Sequence, residues 1–206
     1  MFYVGLDLGK RLDYSAVAVV ERPEWVLREF DYLHWMDRGQ LQKGKLVVRF
    51  LERIQLGTPY TEVVERVVKI VERLRDRHGK GAHRQLVVDA TGVGMPVVDM
   101  LRAAEPDCEL TPVLITSGSG QHLIDGVWHV PKIDLMAGVQ AALETGELRI
   151  ARRMRETQTL VQEMMDFRVK LRGTGRMRLG ADGFGQHDDL VLAVALACWA
   201  APPISD

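Results

Sequence analysis

Residues 2–20 read FYVGLDLGKRLDYSAVAVV. Val4, Leu6 and Leu8 alternate with Tyr3, Gly5 and Asp7, turn-forming residues follow around Gly9 and Asp13, and a second apolar run covers Ala16 to Val20. The pattern predicts two strands joined by a tight turn, apolar enough to lie in the middle of a sheet. Asp7 is out of place in such a run. A carboxylate inside a central strand loses its hydration at a cost unless it is paired or holds a metal.

Further along, Val26 to Trp35 and Leu46 to Leu56 read as extended segments, separated by the polar, glycine-containing stretch Asp37 to Lys45. With the first two strands they make an antiparallel meander. From Thr58 the period changes. Thr58 is placed to cap a helix and Pro59 to occupy its first position. Val64, Val67, Val68, Val71 and Leu74 then share one face, and His78-Gly79 closes it. Gln85 to Val88 is a short strand ending at Asp89, Val93 to Ala104 a helix, and Leu110 to Thr116 a strand. Helix, strand, helix, strand implies parallel crossovers. Another helix runs from Pro131 to Gly146, Glu147 to Ile150 is extended, and Thr157 to Met165 is helical. Phe167 to Leu179 reads as a basic hairpin across Gly173-Thr174-Gly175. An Ala-rich helix spans about His187 to Ala200. The expected class is α/β, a mixed central sheet flanked by helices, its meander preceding its parallel strands.

At 206 residues and 47% hydrophobic content, the chain has enough apolar surface for one substantial core, so 1–206 is expected to be a single domain. A net charge of −1 excludes bulk attraction to nucleic acid or membrane, so any basic surface has to be local. Cys108 and Cys198 lack metal or redox spacing and read as reduced thiols of a cytoplasmic protein. Lys10 and Arg11 interrupt the N-terminal apolar run too early for a signal peptide, and Leu190 to Ala201 is too short to span a bilayer. No membrane partner is expected.

Three carboxylate positions end buried elements: Asp7 on the first strand, Asp89 at the close of the Gln85 strand, and Asp188-Asp189 at the start of the last helix. Carboxyl ends of parallel strands lie along one edge of a sheet, where sites form. If the first strand and the Gln85 strand are parallel neighbours, Asp7 and Asp89 converge, and Asp189 reaches them from a helix on the same sheet. Carboxylates so gathered cannot all ionise without a cation. Oxygen ligands select a hard ion, Mg²⁺ or Mn²⁺, and two such ions suit phosphodiester hydrolysis. Taken singly, Asp89 before Ala-Thr-Gly is equally a turn residue, and Asp188 or Asp189 a plain helix cap. His122, His129 and His187 lack zinc spacing with the cysteines, no nucleophile elbow is present, and Gly92-Val93-Gly94 lacks the third glycine or lysine of a phosphate loop. Arg168, Lys170, Arg172, Arg176 and Arg178, with Arg149, Arg152, Arg153 and Arg155 upstream, supply a local positive surface suited to backbone phosphates.

Four segments in order, VGLDLGKRLDYSAVAVV (4–20), LVVDATGVGMPVVDML (86–101), VPKIDLMAGVQAALETGELRI (130–150) and GQHDDLVLAVALACWA (185–200), carry a family likeness. Together they resemble the nuclease domain of the large terminase subunit of tailed phages, a member of the ribonuclease H-like superfamily. The resemblance implies a metal-dependent endonuclease that cuts double-stranded DNA during genome packaging, in a host cytoplasm. It maps the family's acidic ligands onto Asp7, Asp89 and Asp189 or Asp188, and a motif lysine onto Lys132 as a phosphate contact. Implied partners are a packaging ATPase domain, the small terminase subunit and the portal. The position one helical turn after the acidic pair, acidic in many relatives, is Leu192, and the chain has no Walker motif. Three other readings compete: a Holliday-junction-type resolvase, an actin or sugar-kinase-like nucleotide-binding module, and an inactive DNA-binding module with the same fold.

Overall fold

Strand β1 (Phe2–Asp7) pairs antiparallel with β2 (Ser15–Glu21), with Asp7 opposite Ala16. In the computed structural model, which describes residues 1–9, 13–23, 26–27, 41–42, 44–173 and 187–201 (the backbone alone at 26–27, 41–42 and 167–173), both strands are almost wholly buried. A strand covered on both faces needs apolar residues at consecutive positions, which is what Ala16 to Val20 supply.

Strands β3 (Val26–Leu27) and β4 (Leu41–Gln42) form a separate two-stranded ribbon. The meander is therefore completed not by Val26 to Trp35 but by β5 (Leu46–Ile54), which occupies the free edge of β2 and buries Leu46, Val48, Leu51 and Ile54. Residues 28–35 of the expected strand lie outside the described residues.

The crossover half follows the expected order. Helix α1 (Tyr60–His78) leads to β6 (Arg84–Asp89), α2 (Gly94–Ala103) to β7 (Glu109–Thr116). Beyond them come β8 (His122–Ile124), β9 (Val127–Pro131), α3 (Lys132–Glu144), β10 (Leu148–Ile150), α4 (Thr157–Gly173) and α5 (Asp189–Ala200). The eight-stranded sheet runs β10-β5-β2-β1-β6-β7-β9-β8. Strands β1, β6, β7 and β9 are mutually parallel, so the sheet is mixed. Among the described residues no helix is long and apolar enough to cross a membrane.

Two apolar layers sandwich the sheet. Phe2, Val4, Leu6 and Leu8 pack with Val63, Val67 and Val71 of α1 and Val97 and Leu101 of α2. Tyr3, Ala16, Ala18 and Val20 pack with Leu190 to Ala197 of α5 and with Leu135 and Val139 of α3. The odd positions of β1 thus face α5, and the small residue among them sets how close that helix lies. A Cβ on Gly5 would stand 1.9 Å from the Ala193 carbonyl oxygen and 3.0 Å from the Ala197 nitrogen. Gly5→Val must push α5 off β1, an overpacking cost of about 3 kcal/mol or more. Its melting temperature is expected to fall by at least about 6 °C in scanning calorimetry.

Two local expectations are corrected. Helix α1 begins at Tyr60, with Pro59 as its cap residue, and Thr58 does not cap it. The Thr58 hydroxyl donates to Gln55 O at 2.7 Å, and the Pro59 carbonyl accepts from the Glu62 and Val63 amides. The basic hairpin is not formed at its first arm, because Phe167–Gly173 continues α4. Leu160, Met164, Phe167 and Leu171 recur at helical spacing, and extending an existing helix costs less than starting a new pairing. Arg168, Lys170 and Arg172 therefore sit on a helix, while Arg176 and Arg178 lie outside the described residues. A hairpin does exist at β8–β9, where Asp125 (φ 49°) and Gly126 (φ 78°) make a two-residue turn. Cys108 and Cys198 are unpaired, their thiols pushed by burial up to about 11 and about 12.

Candidate functional site

Asp7 is the last residue of β1 and Asp89 the last of β6, and the two strands are parallel neighbours with Leu6 beside Val88. The next residue pair along the register is Asp7 and Asp89, so the sheet itself sets the carboxylates side by side. Both are buried, at 6% and 9% exposure, which decides their chemistry. Burial holds the Asp7 carboxyl well above the usual carboxylate range, and the charges of Asp89, Asp189 and Asp188 raise it further, against Lys132. Asp89 is raised by burial as well, and hydrogen bonds from Thr91 and the charge of Lys132 temper the rise. It accepts from the Thr91 amide at 2.8 Å, which favours its ionised form.

Thr91 does double duty in this turn. Its hydroxyl oxygen accepts from the Ile115 amide on β7 at 2.9 Å, tying the loop after Asp89 to the neighbouring strand. The turn reading of Asp89 is thus correct for one of its oxygens and does not consume the carboxylate.

The acidic pair enters from α5. Asp188 is the cap residue but makes no side-chain cap bond. Its Oδ2 instead accepts from Lys132 Nζ at 2.6 Å, at the start of α3. Lys132 is therefore inside the cluster. Asp189 is buried, and burial pushes its carboxyl up to about 7 despite Arg53 beside it. Its Oδ2 is buried with no hydrogen-bond partner, 3.6 Å from Arg53 Nη2 and 3.7 Å from His187 Nδ1. Leu192, on α5 itself, is buried in the core.

All four predicted carboxylates therefore gather at one end of the sheet, with Lys132 among them. They are not closed into a cage. Among the described residues no three His, Cys, Asp or Glu side chains stand in metal-holding geometry. Asp7 and Asp89 end neighbouring parallel strands, whereas Asp188 turns to Lys132 and Asp189 toward Arg53 and His187.

Two residues of this region had no place in the sequence reading. Arg53 belongs to β5, opposite Ala16, which is itself opposite Asp7, so Arg53, Ala16 and Asp7 form one row across three strands. Glu163 comes from α4, is 5% exposed, and bridges Arg53 to the amide of Val191 in the first turn of α5. Burial pushes its carboxyl up to about 7. Arg53 also lies over the Tyr14 ring at 4.8 Å, and Tyr14 meets His187 edge-on. The signal for Arg53 was its place in an otherwise half-apolar strand, which acquires meaning only once the meander's register is known. On its outer side this group opens into a polar cleft of about 830 Å³, walled by Tyr14, Arg53, Arg66, Lys69 and Arg155 with several glutamates.

Neither a protein-family model nor a curated protein sequence matches the chain. Solved structures do. The large terminase nuclease from thermophilic phage G20c with bound zinc aligns over 98% of this chain and 82% of its own, at 21% identity and a TM-score of 0.57. The human cytomegalovirus terminase nuclease domain, manganese-soaked and inhibitor-bound, aligns over 96% and 81%, at 12% identity and a TM-score of 0.55. At such identities the likeness establishes the fold, which is the ribonuclease H-like architecture of terminase nuclease domains that the sequence motifs resemble.

Proposed function

We propose that residues 1–206 form one nuclease unit that hydrolyses phosphodiester bonds of double-stranded DNA with divalent metal. The observation that carries this reading is the burial of Asp7 and Asp89 side by side, with Asp188 and Asp189 close enough to raise the carboxyl of Asp7. A fold built only for stability has no use for so many buried acids, since each costs hydration and each disfavours ionisation of the others. The donor set fits a hard cation. It offers carboxylate oxygens, one of them, on Asp189, buried and without a hydrogen-bond partner. The zinc-bound and manganese-soaked forms of the two terminase nucleases support divalent metal here too.

Asp7, Asp89 and Asp189 would hold Mg²⁺ or Mn²⁺ ions, two in number, with Asp188 sharing the work. When bound, such ions supply Lewis acidity, acidifying an attacking water and stabilising the leaving oxygen. The chain's own residues do the rest. Asp7 would hold metal as the carboxylate, Lys132 pairs with Asp188 and would offer positive charge toward a phosphate, and β1 and β6 set the two strand-end carboxylates side by side. Arg168, Lys170, Arg172, Arg176 and Arg178 contribute backbone-phosphate contacts, sequence-independent and salt-sensitive. A packaging ATPase domain, small subunit and portal are the partners this role would call for.

The test is nicking of supercoiled plasmid. The protein is expected to nick in Mn²⁺ and not in EDTA; equal nicking in both would exclude the metal-dependent reading. In the same assays, replacing Arg168, Lys170 and Arg172 by Ala is expected to weaken DNA binding on every sequence and to flatten its salt dependence. Preference for four-way junctions over linear duplex would favour a resolvase instead.

A further inference from the structure

We infer that Arg53 is a positioning residue for Asp189 in the proposed metal site, held to that task by Glu163. The inference rests on the nuclease reading and adds two residues that neither the motifs nor the acidic cluster assigned.

The geometry is a short chain of contacts linking three elements. Glu163 on α4 has both carboxylate oxygens engaged, one by the Arg53 guanidinium on β5 and the other by the Val191 amide at 3.0 Å on α5. Arg53 Nη2 then stands 3.6 Å from Asp189 Oδ2, an approach short of a hydrogen bond. Tyr14 lies against the guanidinium at 4.8 Å, and its edge-on neighbour His187 brings Nδ1 to 3.7 Å from the same Asp189 oxygen. Asp189 Oδ2 is thus bracketed by Arg53 and His187 while remaining free of any hydrogen bond.

An arginine placed for stability alone would close on its carboxylate, since a charge-assisted, bidentate pair is the strong arrangement. Here Glu163 takes the close contact and leaves Asp189 the looser one. The carboxylate is oriented and kept near positive charge, yet its oxygen is still available to a ligand. Outer contacts of this kind tune metal affinity by about 10- to 100-fold where they have been removed from other sites. At pH 8, above the value of about 7 to which burial raises Glu163, Arg53 and Glu163 largely cancel in charge, so removing both there leaves the net charge of the site nearly unchanged. Any effect on metal binding then reports the loss of the Arg53 contact beside Asp189 and not a change in net charge.

The test is Mn²⁺ titration calorimetry on the full chain carrying both Arg53→Gln and Glu163→Gln, which keeps an acceptor for the Val191 amide. Affinity is expected to fall about tenfold, with the metal-free melting temperature within a few degrees of wild type. Affinity within twofold of wild type would overturn the role. Arg53→Lys serves where the double variant folds poorly, because it keeps Glu163 paired but lacks the guanidinium fork that reaches Asp189. It is expected to bind Mn²⁺ several-fold more weakly, and parity with wild type overturns the role equally. A wild-type isotherm that Asp7→Asn leaves unchanged would instead remove the metal site, and this role with it.

Discussion

Asp7→Asn is expected to lose plasmid nicking in Mn²⁺ by at least about 10³-fold while melting higher than wild type when metal is absent. The first effect is the loss of a ligand whose cation supplies several kcal/mol of charge stabilisation to the transition state. The second comes from the same residue's cost to the fold. Asp7 is 6% exposed and stands beside Asp89, with Asp189 and Asp188 raising its carboxyl further. At pH 8 the native protein must either keep a proton on Asp7 that solvent would remove, or bury another negative charge. Asn has nearly the same shape and carries no charge, so it removes the penalty without opening a cavity. A gain of about 1–2 kcal/mol corresponds to a rise of roughly 2–8 °C for a chain this long. Gel nicking and scanning calorimetry read the two halves separately. Equal nicking would sink the proposed site, and a lowered melting temperature would mean that Asp7 is structural.

The parts of the fold that rest on local periodicity could be read before any coordinates. The β1–β2 pair, the α1–β6–α2–β7 crossovers and the start of α5 announce themselves in runs of apolar residues with fixed spacing. Asp7 and Asp89 were legible for a related reason: a carboxylate is conspicuous in a buried run, and parallel neighbours align their ends. What escaped depends on contacts distant in sequence or on competition between two local patterns. Phe167 to Arg172 fits both a strand alternation and a continuation of α4, and only the helix already formed from Thr157 decides between them. The Asp125-Gly126 turn was a strong hairpin signal, but its strands are only three and five residues long. Arg53 and Glu163 are 110 positions apart, and nothing local to either predicts the other. The acidic cluster was therefore foreseen as residues, whereas the charges that orient it were not.

The metal-free protein is expected to lose stability as pH rises from about 5.5 to 8, and saturating Mn²⁺ to reverse that slope. Burial raises the carboxyls of Asp7, Asp89, Glu163 and Asp189, the last two up to about 7. An unfolded chain releases these protons near pH 4, so between about 4 and 7 the native state binds more of them than the unfolded state does. The slope of unfolding free energy with pH follows protons bound in the unfolded state minus those bound in the native state, and is here negative. Stability is fully present below about pH 4 on this account and is lost as pH rises through 7. A shift from the ordinary value to about 7 in Asp189 alone corresponds to roughly 4 kcal/mol. A divalent cation displaces the same protons, so its binding tightens with pH and its stabilising effect is larger at pH 8 than at 5.5. Calorimetric scans in EDTA and in excess Mn²⁺ across that range provide the check. Asp7→Asn combined with Asp189→Asn should flatten the metal-free profile. A metal-free melting temperature that climbs from pH 5.5 to 8 would show that the native carboxyls ionise as freely as unfolded ones, and that the cluster carries none of the strain a cation would relieve.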